Sequence, residues 1–94
     1  MAVSDQSKPV ITMDTLNDQL VGNPFIDFLC YTVDSGGAAG DLCVVQDASG
    51  SPIARFPVDG PNYTGIRWLN NRFQGPKIAS LSGSGGLLYV HVRK

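Results

Sequence analysis

The chain contains no glutamate; all eight acidic residues are aspartate. Glutamate suits helix interiors whereas aspartate belongs to turns and caps, so this absence weighs against a helical fold. Histidine occurs once, as His91, and cysteine twice, as Cys30 and Cys43. Two thiols are too few for a disulfide scaffold, and with a single imidazole they lack the spacing of a zinc site. No apolar run approaches the length of a membrane span. The opening MAVSDQSKP has neither a basic region nor an apolar stretch, so a secretory leader is not expected. Together these absences predict folding in a reducing cytoplasm with both thiols free, and no membrane partner.

What the sequence does hold is punctuation. Its 94 residues suffice for one domain with a single core, and the hydrophobic content of 43% is ordinary for a globular chain. Eleven glycines and six prolines are scattered at intervals that interrupt any long helix and leave room for short strands. Charge is unevenly placed: residues 1–47 carry seven of the eight aspartates and one base, Lys8, while residues 48–94 carry the other six bases and Asp59. If the two halves occupy different regions of the surface, complementary fields can join one copy to another; if their strands interleave, the charges mix.

Gly40–Phe56, GDLCVVQDASGSPIARF, is the organising stretch and predicts a hairpin. Leu42, Val44 and Gln46 alternate with Cys43, Val45 and Asp47, Ile53 to Phe56 returns, and Ala48-Ser49-Gly50-Ser51 turns, with Gly50 free to take a positive φ and Asp47 placed to bond the turn backbone. Ahead of it, residues 1–24 are expected to form an arm. Residues 1–8 are small and polar, Pro9–Met13 suits a short strand, and Asp14–Val21, with Leu16 and Leu20 four apart, suits a helical turn; an arm extended throughout is the other reading. Phe25–Val33 is apolar on both faces and predicts a central or doubly covered strand. Joined to Leu42–Gln46 as antiparallel neighbours, it would set Cys30 opposite Cys43, both read as small buried fillers.

Beyond the hairpin, Asn62–Leu69 predicts a strand with Thr64, Ile66 and Trp68 on one face, Asn70-Asn71 a two-residue turn, and Arg72-Phe73 the start of the return. Lys77–Leu81 and Leu87–Val92 predict a last hairpin around a glycine-rich tip, with Leu88, Val90 and Val92 in the core. The expected fold is therefore all-β: a small antiparallel β-sandwich or partly open barrel of about seven short strands, with an extended arm at 1–24 and a single β domain at 25–94.

Reactive chemistry finds little foothold. A nucleophile, base and acid arrangement would have to use His91, which has no Gly-x-Ser-x-Gly elbow to serve and lies two residues from Arg93 near a strand end. Asp34 to Asp41 lacks the alternating oxygen ligands of a calcium loop, and Gly36–Gly40 and Gly83–Gly86 lack the lysine and following helix of a phosphate-binding loop. No catalytic residue, metal or cofactor is expected. Arg67, Trp68, Arg72 and Phe73 interleave basic and aromatic groups as single-strand binders do, but a sequence pI near 5.5 argues against nucleic acid. Trp68 is read first as core, with an interface anchor or a sugar-stacking platform as its functional alternatives.

Across Gly40 to Val92 the order is Gly-Asp and a hydrophobic run, Asp-Ala-Ser-Gly with an apolar return, Arg-Phe-x-Gly-Pro-Lys-Ile-Ala-Ser-Leu, then Gly-Gly-Leu-Leu-Tyr-Val-His-Val. This resembles the small all-β proteins of tailed bacteriophage particles, particularly capsid decoration or cement proteins and related head and tail accessory proteins. The resemblance implies a non-enzymatic virion component, folded in the host cytoplasm, that binds the major capsid protein on the outer capsid surface. It also implies a homo-oligomer, a trimer or another symmetric assembly. It supplies no contact positions residue by residue, so the candidate interface rests on residue type: Arg67, Trp68, Asn70, Asn71, Arg72 and Phe73. The alternative is a tail or surface module that recognises a host glycan or receptor through Trp68, Tyr63 and Tyr89.

Overall fold

Seven strands follow one another in the computed structural model, which describes Gln6, residues 8–83 and residues 86–93. They are β1 Val10–Met13, β2 Phe25–Val33, β3 Leu42–Gln46, β4 Pro52–Pro57, β5 Thr64–Arg72, β6 Lys77–Leu81 and β7 Gly86–Val92. No helix occurs among the described residues. The strands make two antiparallel sheets, one ordered β1-β7-β2-β5 and one ordered β4-β3-β6. The all-β fold expected from the sequence is the fold found.

Period-two alternation builds the core. Leu88, Val90 and Val92 turn inward from β7, Ile26, Leu29, Tyr31 and Val33 from β2, and Cys43 and Val45 from β3, all buried in one cluster. Tyr31 and Phe56 meet between the sheets, their ring centroids 5.8 Å apart. The β3–β4 hairpin closes on a turn in which Gly50 takes a φ of 91°. There the Asp47 carboxylate accepts hydrogen bonds from the Ser49 and Ser51 backbone N–H groups at 3.0 and 2.9 Å and from the Ser49 hydroxyl at 2.8 Å.

The short strand expected within residues 1–24 is β1, and it is integral to the core: Ile11 and Met13 are buried beside β7, and Leu20 is buried further on. Asp14–Val21 is not helical. Asn17 takes a φ of 71°, and the buried Asp18 carboxylate accepts from the N–H groups of Asp14 and Thr15 at 3.2 and 3.1 Å, folding the segment into a turn. Leu16 and Leu20 therefore part company, one exposed and the other buried. The flexible arm expected at residues 1–8 falls, except for Gln6 and Lys8, outside the described residues, as do Ser84 and Gly85 of the glycine-rich tip.

Three further expectations are corrected. β2 and β3 are not neighbours: they lie in different sheets, so Cys30 is level with Ile66 and Tyr89, and Cys43 with Phe56 and Leu81. β6 and β7 likewise belong to different sheets and form no hairpin. Asn70-Asn71 is not a turn either, because β5 continues through both to Arg72. The positive φ of Asn70, 50°, marks a bulge at which Leu69 and Asn70 together face Asp27.

Candidate functional site

Among the described residues, no element covers the outer face of the four-stranded sheet. Register sets its rows. Val10, His91, Phe28 and Trp68 lie side by side across β1, β7, β2 and β5; Thr12, Tyr89, Cys30 and Ile66 form the next row; Leu87, Thr32 and Thr64 follow. The first row is a chain of rings. The His91 imidazole stacks on Phe28 with centroids 4.0 Å apart and planes 16° from parallel, and Trp68 leans on the other side of Phe28 at 4.6 Å.

Trp68 is 67% exposed and Ile66 55% exposed, so the tryptophan is not the core residue that composition suggested. Strands about 4.8 Å apart and rows about 6.8 Å apart give this face roughly 400 Å². Apolar and aromatic groups share this face with Thr12, Thr32, Thr64 and His91, and its area is only about half of what one partner contributes to a standard interface.

The six candidate interface residues share a segment but not a face. Trp68 belongs to the aromatic row, whereas Arg67 turns to the other side and donates to the carbonyl of Arg55 at 3.5 Å. Asn70 occupies the bulge and Asn71 lies level with Ile26. Arg72 donates to the carbonyl of Asn23 at 3.0 Å and lies 6.0 Å from the Phe25 ring centre, and Phe73 packs partly buried against the core. Of the trio proposed for sugar stacking, Trp68 and Tyr89 share the outer face. Tyr63 packs against the core cluster instead. What the sequence reading missed was Phe28 and its place between His91 and Trp68; the alternation within β2 and β7 carried the signal, but only the shared register joins these residues to Trp68.

Charge is sorted by the ends of the sheet rather than by halves of the chain. At the end where β2 begins, Arg93 stacks 4.5 Å over Phe25 and pairs with Asp27 at 2.6 Å, with Arg72 beside them. Lys8 precedes Pro9, whose carbonyl accepts from Val92, and so sits at the same end. At the opposite end, Asp34 accepts from Asn62 through its carbonyl, Val58 donates to the carbonyl of Asp41, and Asp59 lies between Val58 and Gly60. The molecule is thus cationic where β2 starts and anionic where it stops.

Burial separates the two thiols. Burial pushes Cys43 up to about 12, whereas Cys30, on the half-exposed outer face, is raised by burial without such a large shift. Among the described residues no three His, Cys or Asp side chains gather closely enough to hold a metal ion. Set against protein-family models, curated proteins and solved structures, the chain has no match.

Proposed function

We propose that this chain is a non-enzymatic structural protein that adheres to the outer surface of a phage capsid, as the decoration proteins it resembles do. Attachment is through the outer face of the four-stranded sheet. The observation that carries this reading is the row Val10, His91, Phe28 and Trp68 on a face that no described element covers. A soluble monomer gains nothing from leaving a tryptophan and an isoleucine side by side in water, whereas tryptophan is a common anchor of protein contacts. Because one copy offers only roughly 400 Å², firm attachment follows from repetition: copies arrayed on a symmetric lattice bind together far more tightly than each binds alone.

The test is co-sedimentation of the purified protein with undecorated capsids of its source particle. Pelleting with capsids that is lost in Trp68→Ala and Phe28→Ala supports the reading; a protein that stays in the supernatant at all salt concentrations ends it. Glycan recognition by Trp68 and Tyr89 is the second reading, favoured by two aromatic groups on one accessible face. Glycan-array binding without capsid association would select it.

A further inference from the structure

Four strand edges border the two sheets, and three are guarded. Along β6, Asn17 donates to the carbonyl of Ile78 at 2.9 Å, Ile78 to that of Asp18 at 2.9 Å and Leu20 to that of Pro76 at 2.8 Å, so the edge is already covered. β4 is bracketed by Pro52 and Pro57, which have no N–H to offer. β1 is only four residues long and follows Pro9. β5 is nine residues long and has no proline. Its one charge between Thr64 and Trp68 is Arg67, whose guanidinium turns away to Arg55. An edge of this kind invites another strand.

Register determines which groups line it. Val33 donates to the carbonyl of Tyr63 at 2.9 Å, so Tyr63 turns its carbonyl toward β2. By the alternation of an antiparallel ladder, Gly65 and Arg67 do the same, and Thr64, Ile66 and Trp68 direct their N–H and C=O groups outward. The bulge at Asn70 ends this regular stretch.

We propose that the edge is paired by β5 of a second copy, antiparallel and centred on Ile66. A twofold axis there joins Ile66 to Ile66 of the second copy and Thr64 to its Trp68, so every outward N–H and C=O of the stretch finds a partner. Antiparallel pairing also sets the Arg72 end of each β5 toward the Thr64 end of the other, where Asp34 and Asp59 lie. The cationic end of each molecule then lies beside the anionic end of the other. Both outer faces fall on one side, and the two aromatic patches merge across a continuous sheet ordered β1-β7-β2-β5-β5-β2-β7-β1. This pairing goes beyond capsid attachment and stands or falls without it.

Sedimentation velocity of the full chain from about 1 µM to about 1 mM is expected to show a monomer–dimer equilibrium. Ile66→Pro removes an outward N–H while sparing the ladder to β2, so it should keep the parent far-UV circular dichroism and weaken self-association about tenfold or more. Ile66→Cys in a Cys30→Ser background sets two thiols on Cα atoms about 5.5 Å apart across the axis, within reach of a disulfide. Mild oxidation should give a covalent dimer, a readout that does not depend on how the proline variant folds. A monomer at every concentration, a trimer, a dimer as strong in Ile66→Pro as in the parent, or no covalent dimer from Ile66→Cys would each overturn the proposal.

Discussion

The imidazole of His91 lies almost flat on the ring of Phe28, 16° from parallel, and Trp68 leans on the same phenyl group from the opposite strand. Phe28 is thus held between two neighbours, while Trp68 keeps most of its surface in water. Removing the indole should therefore cost little folding energy, on the order of 0.5–1.5 kcal/mol for the lost ring contact. Thermal melts of Trp68→Ala should stay close to those of the parent, while its capsid pelleting collapses. A variant that unfolded would place Trp68 in the framework instead.

Leu16 and Leu20 offer a contrast within one turn. Leu20 is 1% exposed and Leu16 is 47% exposed. Leu20→Ala should destabilise the fold by about 2–5 kcal/mol through the cavity it leaves. Leu16→Ala should fall within about 0.5 kcal/mol of the parent. Urea unfolding of the two variants measures the difference, and equal midpoints would show that the Asp14–Val21 turn does not pack as described.

At mildly alkaline pH a thiol reagent should modify Cys30 in the native protein and reach Cys43 only as fast as the fold opens. Mass spectrometry of peptides after timed labelling separates the two. Burial raises both Cys43 and Tyr31 to about 12, so the folded chain retains protons that the unfolded chain releases. Stability is therefore present in full below the ordinary thiol value of 9.0 and falls as pH climbs from there toward about 12. Cys43→Ala should reduce the alkaline loss and leave the part of the Tyr31 share that burial and Asp41 supply.

Asp47 titrates in the other direction. The hydroxyl of Ser49, then the N–H groups of Ser51, Ser49 and Gly50, hold its carboxyl below the usual carboxylate range. This stabilisation is present above the carboxyl's unfolded-state value and is lost as pH falls through its folded value. Asp47→Ala should melt below the parent at neutral pH, and the gap should narrow in acid. A constant gap across that range would mean that the side chain acts through shape rather than charge.

Alternation made most strands legible in the sequence. Leu88, Val90 and Val92 announced the inner face of β7, and the doubly apolar Phe25–Val33 announced a central strand, because burial on a pleated segment repeats every second residue. Pairing was less accessible. Cys30 and Cys43 were set together by assuming that consecutive strands are neighbours, but the loop between them carries the chain from one sheet to the other. Asn70 misled for a related reason: a positive φ serves a bulge as well as a turn, and only the partner strand distinguishes them. Trp68 shows that hydrophobicity does not by itself imply burial. The outer face became visible only when residues from four strands were aligned.

Because β7 is inserted between β1 and β2, the first of the described strands cannot join its sheet until the seventh has been made. While the ribosome is still producing β3 to β6, Val10–Met13 has no ladder to join and the row of rings does not yet exist. The outer face therefore assembles only once β7 has emerged, so the four-stranded sheet is completed late and by contacts distant in sequence.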